Sequence, residues 1–537
     1  MEKNKKFIRG ALTLGAAGII SKLLGFTYRV ALPRLIGSEG VGIYQLAYPI
    51  YTILLVISTS GMPIALAKII SKENTENNYQ ESYKIFKTAK ILNFFTGLLL
   101  TILMIYFSES IINLFNWDQR ALYSVIALAP AVFIVSLVSV FRGFFQGLQD
   151  MKPTAYSQVL EQLIRILAMI FMVKFFLPYG IKYAAAAATL GAVIGALAAL
   201  ILLIIIYYKN HDKIWQKIPV QKIDSYEFKH NSKKIIALAL PITIGALITP
   251  LMGFIDAAIV PTRLEAGGFI NPLALYGELA GMAMVLVHFP TVITLALATS
   301  LVPAISEAFA LGDQKLLRSR AETALRITIL ISLPAAVGLF LLAKPLSAVI
   351  FEAPSAAVPL YFVSWGVIFI ALKQVTSAML QGLGRVKIPA RNLLIGSLFN
   401  ALLNYILTAH PAFGIKGAAI GTISGFIVAS FLNLIYVKKW TDFNIDFNKL
   451  FLKPVISVLA MAAAVKSSQY IFLTLFSDLN LFAKNILSLL ISIIIGIIIY
   501  SAALILTKEI KYHDLILIPY FGKKAADLLE KYNILKK

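Results

Sequence analysis

The chain contains no cysteine, which excludes a disulfide framework and any thiolate-ligated metal. Charge is scarce as well. Asp, Glu, Lys and Arg make up 14% of the residues, against about 25% in a typical soluble protein. The five histidines (His211, His230, His288, His410 and His513) show no ligand spacing. No Walker loop, HExxH pair, nucleophile elbow or clustered carboxylate pair occurs, so the common cofactor and hydrolase chemistries have no footing. Long polar connections are absent on one side of the chain, where they run to about 6–15 residues. That leaves no room for an outer catalytic domain of the kind an integral-membrane glycosyltransferase or polymerase needs.

What is present is apolar sequence. Of 537 residues 59% are hydrophobic, and mean hydropathy is +0.81. Repeated apolar runs indicate one all-α polytopic membrane bundle rather than several soluble domains. About fourteen transmembrane helices are expected, at 8–32, 42–67, 88–107, 121–141, 154–176, 183–208, 234–260, 273–303, 321–343, 357–382, 391–409, 416–437, 452–475 and 484–507. The basic N-terminus runs into the first apolar segment without a clear small-residue cleavage site, and reads as an uncleaved span.

The charge distribution tests this map. With the N-terminus inside, 36 of the 49 Lys and Arg residues fall in inside segments and eight in outside connections. The remaining five (Lys22, Arg29, Arg165, Lys373 and Lys466) lie within spans. Such a bias places both termini in the cytoplasm, with the chain spanning the plasma membrane. It also explains the net charge of +23 as topology, without a nucleic-acid partner.

The chain repeats itself. Phe145-Gln146-Gly147-Leu148 with Lys152-Pro153 recurs as Leu380-Gln381-Gly382-Leu383 with Lys387-Ile388-Pro389. Gly180-Ile181-Lys182 with Ala184-Ala185 recurs as Gly414-Ile415-Lys416 with Ala418-Ala419. Six spans separate the copies, so two like-oriented six-helix lobes are expected, as in transporters built from parallel repeats. The expected organisation is an N-terminal lobe at 1–208, a cytoplasmic linker at 209–234 and a second lobe at 235–437. Two extra C-terminal helices at 438–510 and a cytoplasmic tail at 511–537 follow. The linker either lies along the inner leaflet or is solvated, and the tail reads as a short amphipathic helix.

A charge at mid-membrane costs at least about 2.5–3.5 kcal/mol on the insertion scale, so the embedded cations call for a reason. Gly15, Gly18, Lys22, Gly25 and Arg29 step 3, 4, 3, 4 and share one helical face. That face is nearly free of side chains apart from two cations, which suits the close approach of a large anion. Glu161 and Arg165 stand i, i+4 on the fifth span and form a self-neutralising pair or line a cavity. Arg142 ends the fourth span, where snorkelling is the default. Lys373 and Gln374 lie on the tenth span, and Glu278 opens the eighth at the interface or facing a cavity. Asp256 is the deepest lone carboxylate. With Asn400, Asn404 and Thr422 it offers hard oxygen donors for Na⁺, although buried asparagines also join helices by hydrogen bonding.

Ser21-Lys22-Leu23-Leu24-Gly25-Phe26, with Arg29 and Arg34-Leu35-Ile36-Gly37, resembles the first helix of the MurJ-like flippases. Arg142-Gly143-Phe144-Phe145-Gln146-Gly147 and Tyr156-Ser157-Gln158-Val159-Leu160-Glu161-Gln162 resemble the stage V sporulation protein B branch of that family. So do Phe289-Pro290-Thr291 and Ala296-Leu297-Ala298-Thr299-Ser300-Leu301-Val302-Pro303-Ala304-Ile305-Ser306-Glu307. The resemblance covers essentially the whole chain and implies membership of the multidrug/oligosaccharidyl-lipid/polysaccharide exporter superfamily. It implies two lobes around a cationic cavity, a lipid-tail groove at the last two helices, and transfer of undecaprenyl-diphosphate-linked sugars to the outer leaflet. The family's first cavity arginine falls on Lys22 and its second on Tyr28, next to Arg29. The second-helix arginine has no counterpart in 50–60, and the eighth-helix arginine falls on Val285. The family's sodium site corresponds in type and spacing to Asp256, Asn400, Asn404 and Thr422.

The resulting expectation is a monomeric, non-enzymatic flippase with no organic cofactor. Lys22, Arg29, Arg142, Arg165 and Lys373 would hold the diphosphate, with Glu161, Gln374 and Glu278 as polar lining and Na⁺ as the coupling ion. The partners are then the polyprenyl-linked glycan and membrane lipids. An ion-coupled small-molecule exporter of the same superfamily is the alternative. Twelve spans and a carboxylate-dominated cavity would favour it.

Overall fold

A computed structural model describes residues 2–210, 223–443, 452–475, 480–507 and 509. Residues 211–222 of the linker and the whole 511–537 tail lie outside the described residues. The described chain is helical, without strands. The first helix, α1 (Glu2–Thr59), breaks at Gly37, where φ 65° and ψ 179° form a backbone shape open essentially to glycine alone. This break separates the first two expected spans.

Then follow α2 (Met62–Thr75), α3 (Tyr79–Leu114), α4 (Ala121–Gly147), α5 (Lys152–Phe176), α6 (Ile181–Lys209) and α7 (Ser225–Ala266). The eighth expected span is built from α8 (Pro272–Tyr276), a π-helical turn at Gly277–Ala283, α9 (Met284–His288) and α10 (Thr291–Ala310). After these come α11 (Gln314–Leu341), α12 (Ala343–Phe351), α13 (Ala357–Val363), α14 (Gly366–Gly382), α15 (Lys387–Thr408) and α16 (Ile415–Thr441). The last two are α17 (Lys453–Leu475) and α18 (Leu481–Leu506).

Among the described residues ten helices are long and apolar enough to cross a membrane, and a pair bent by 48° at Pro354–Val363 and Gly366–Gly382 makes eleven. One of the ten, Thr13–Thr75, runs 63 residues. At about 1.5 Å per residue it exceeds two bilayer thicknesses, and it contains the first two expected spans. Helices α5 and α15 occupy the fifth and eleventh, so all fourteen expected segments fall on helix.

The helices form two compact units, Met1–Gly281 and Met282–Lys537. In the first, α4 packs on α2, α3 and α6, and α5 packs on α6. In the second, α14 packs on α10, α11 and α16, and α15 packs on α16. The pairings are the same once the repeat is laid over them. The first core joins Leu66, Ile70, Phe86, Phe144 and Phe145, and the second joins Leu301, Ile305, Leu325, Met379 and Leu380.

The repeat motifs have a common geometry. At the end of α4, Gln149 takes φ 59°, and its N–H and that of Asp150 donate to Gln146 O at 2.9 Å and Phe145 O at 3.0 Å. At the end of α14, Gly384 takes φ 74°, and its N–H and that of Arg385 donate to Gln381 O at 2.9 Å and Leu380 O at 2.8 Å. Both are Schellman caps. A side chain at Gly147 would start 2.8 Å from Ile70 Cβ, and one at Gly382 would start 2.8 Å from Ile305 Cβ. The glycines are thus fixed by close helix contact, the usual device where lipid supplies no hydrophobic drive. A third equivalence had no sequence signature. Asn77 (φ 58°) and Gly312 (φ 66°) cap α2 and α10 in the same way. Asparagine and glycine both tolerate this conformation, so the geometry persists where the letters differ.

In the second unit α17 and α18 pack on each other, with Ser468 Oγ donating to Ser492 Oγ at 3.1 Å. They dock on α11 through Tyr500, whose hydroxyl donates to Leu330 O at 2.8 Å, and through Glu509, which pairs with Arg326 at 3.6 Å and Lys453 at 3.7 Å.

Candidate functional site

The glycine-and-cation face of α1 is open within the first unit. Among the described residues no atom beyond the helix's own backbone lies within 4 Å of a side chain placed at Gly15 or Gly18, and at Gly25 the neighbour found is Gln162 Oε1, at 3.7 Å. Lys22 and Arg29 are exposed on this face and have no ion pair among the described residues. Tyr28 points the other way. It is buried, and its hydroxyl donates to Ala188 O at 3.1 Å. The heptad-like step of small residues thus divides the helix into a packed side and a bare cationic side.

A second cationic cluster lies where α4 meets α5. Arg142 donates from Nε to Ser157 Oγ at 3.0 Å and from a terminal nitrogen to Glu161 Oε2 at 2.9 Å. Arg165 reaches Glu161 Oε1 at 3.2 Å. One carboxylate therefore serves two guanidiniums, and the cluster keeps one net positive charge. Arg142 is held in this triad and does not snorkel. The tyrosines Tyr44, Tyr48 and Tyr51 stand near Arg165. Small residues on α6 let α5 approach: a side chain at Gly195 would start 2.6 Å from Glu161 O, and one at Gly191 would start 2.8 Å from Arg165 O.

Glu278 is buried in the π-helical turn, where Ser38 Oγ donates to its Oε1 at 3.2 Å. The turn presses on α1 beside its break. Side chains at Gly42 and Gly277 would start 2.1 Å from Leu273 O and 2.2 Å from Ser38 O. Glu278 therefore sits at a helix joint.

In the second unit Lys373 is half-buried on α14 and has no ion pair among the described residues. The neighbouring Gln374 Oε1 accepts from Thr294 Oγ1 at 2.8 Å. One turn on, Asn433 of α16 donates to Thr376 Oγ1 at 3.2 Å and Ser377 Oγ at 3.1 Å and accepts from Asn392 at 2.9 Å. The sequence reading did not single out Asn392 and Asn433. Nor did it single out Asn93, which donates to Ser58 O, Ser136 O and Ser139 Oγ at 3.0–3.2 Å. Amide side chains inside apolar spans were the signal available for all three.

The four oxygen donors fall into two groups. Asn404 Nδ2 donates to Asn400 Oδ1 at 2.8 Å, both fully buried on α15. Across the contact with α16, a side chain at Gly421 would start 2.0 Å from Asn404 Oδ1, and Thr422 donates to Ala418 O at 3.0 Å. Asp256 belongs to the first unit, half-buried on α7 near Tyr276. The donor types suit Na⁺, and the three neutral residues also serve a tight helix contact. Lys466 is exposed on α17.

Residues 7–309 match the family described as polysaccharide biosynthesis protein, and residues 241–406 match the MatE family. Stage V sporulation protein B of Bacillus subtilis (strain 168) is 32% identical over 520 residues, covering 96% of this chain and 98% of its own length. The chain belongs to the polysaccharide biosynthesis protein family. Another relative in the same organism is Lipid II flippase MurJ, 27% identical over 492 residues, which cover 87% of this chain and 89% of that protein. A solved structure of Lipid II flippase MurJ in an inward closed conformation shares the fold, with TM-score 0.69 and 20% identity over 94% of this chain and all of that one. As a member of this family the chain is a multi-pass membrane transporter and not an enzyme.

Proposed function

We propose that the chain is a flippase for undecaprenyl-diphosphate-linked sugars, lipid II or a related polysaccharide precursor. It moves the headgroup from the inner to the outer leaflet of a bacterial plasma membrane by alternating access, for cell-wall, spore-cortex or polysaccharide synthesis. It acts as a monomer with both termini in the cytoplasm. The observation that carries the reading is the bare face of α1, where Lys22 and Arg29 are exposed and Gly15 and Gly18 have no neighbour from another helix within 4 Å among the described residues. A diphosphate needs cations that are not consumed by internal pairs, and a bulky sugar needs a wall without side chains. Arg142 and Arg165 add one net charge and, with Lys373, extend the set of cations. The named activity of the MurJ relative supports the substrate class. Coupling to Na⁺ through Asp256, Asn400, Asn404 and Thr422 belongs to the same proposal.

Expression in a strain depleted of its lipid II flippase tests the substrate. Growth is expected with the wild-type chain and lost with Lys22→Ala/Arg29→Ala. No growth with a correctly inserted wild-type protein would overturn the lipid II assignment.

A further inference from the structure

A groove of about 370 Å³ opens between α3, α4 and α6. Its walls are apolar, with Phe94, Phe95, Leu137, Phe141, Ile204 and Tyr207 among the lining residues. Phe95 and Tyr208 are exposed at its rim. One charge enters it: Lys90, whose ammonium lies 5.4 Å from the Phe86 ring centre and 5.9 Å from that of Tyr207. Lys90 has no ion pair among the described residues.

Three facts fix what this groove can hold. The lining residues 90–95, 137–141 and 204–208 lie toward those helix ends that the charge bias assigns to the cytoplasm. The groove is thus at inner-leaflet depth, with tyrosines at the headgroup level. Its apolar lining suits a hydrocarbon chain. A half-buried ammonium over aromatic faces and without a carboxylate favours an anion, because an uncompensated charge in apolar surroundings is costly.

We infer that this groove seats an anionic phospholipid of the inner leaflet, its phosphate on Lys90 and one acyl chain along Phe94, Phe95 and Leu137. The inference rests on the topology and is independent of what the α1 face carries. One lysine near an anionic surface contributes about 1 kcal/mol, or roughly a fivefold preference over a zwitterionic lipid.

Native mass spectrometry of the purified full-length chain, titrated with phosphatidylglycerol or phosphatidylcholine of identical chains, tests this. Wild type should prefer phosphatidylglycerol about fivefold. Lys90→Gln should abolish that preference without lowering phosphatidylcholine binding, and Lys90→Arg should keep it. Phe95→Ala, at an exposed residue with little packing to lose, should weaken both lipids and provides a test should Lys90→Gln fail to fold. An unchanged preference in Lys90→Gln would overturn the assignment, as would equal binding of the two lipids to wild type or no effect of Phe95→Ala. Displacement of phosphatidylglycerol by a tenfold lower concentration of undecaprenyl phosphate would also overturn it, making the occupant a polyprenyl chain.

Discussion

Arg142 on α4 closes on Glu161 of α5 at 2.9 Å, so a residue placed to snorkel at a helix end is instead tied into the membrane-embedded core. Arg165 takes the other carboxylate oxygen at 3.2 Å. Removing the shared carboxylate leaves two guanidiniums facing each other with no counter-charge. Breaking one partner of a buried pair costs up to about 3–5 kcal/mol. Glu161→Gln should therefore lower the melting temperature of the purified protein clearly. Adding Arg142→Gln to it should recover part of the loss. A double variant less stable than Glu161→Gln would contradict the pairing.

The glycines divide into two classes with opposite outcomes. Gly147→Ala and Gly382→Ala each place a carbon 2.8 Å from an isoleucine Cβ and should cost about 1–3 kcal/mol. Gly15→Ala and Gly18→Ala meet nothing within 4 Å and should be neutral or slightly stabilising. Gly18→Leu should keep the melting temperature and lose transport, because the open face is then filled. Thermal unfolding of the five variants, with transport measured for Gly18→Leu, checks both halves.

Topology is testable because the chain has no cysteine. Single cysteines at Val220 and Glu530 should react with an impermeant maleimide only after the membrane is opened. Labelling of either from outside intact cells would contradict a cytoplasmic linker and tail.

An ion can bias transport only through its different affinity for the alternating states. Asp256 is the one charged group among the four proposed Na⁺ donors. Wild type should be stabilised by Na⁺ at constant ionic strength, with K⁺ as balance, and Asp256→Asn should lose most of that gain. Identical Na⁺ responses would leave Asn400 and Asn404 as helix-joining amides.

The apolar segments and the charge bias made the spans legible, because hydropathy and basic loops act locally along the chain. The repeat was legible at Gln146-Gly147 and Gln381-Gly382, where tight packing demands the same letter. It was invisible at Asn77 and Gly312, where the shared constraint is a backbone angle. The open face of α1 could be read from spacing, since helical periodicity alone places Lys22 and Arg29 together. The partner of Arg142 could not, because Glu161 lies on another helix and only packing brings them together. The inclusion of Asp256 in the first compact unit was equally hidden, since the repeat divides the chain before α7 while the contacts divide it after Gly281.

The most direct measurement of the central claim is headgroup translocation in vesicles. Fluorescent lipid II would be reconstituted with the purified chain, and its exposure to an impermeant outside quencher followed over time. Wild type should expose the inner-leaflet pool. Lys22→Ala and Arg29→Ala should each slow this by roughly tenfold or more, since a charge-assisted hydrogen bond contributes about 1.5–3 kcal/mol. Lys22→Arg should retain activity, because a diphosphate accepts either cation. Wild-type rates in the Lys22→Ala/Arg29→Ala double variant would contradict the cationic face as the headgroup site.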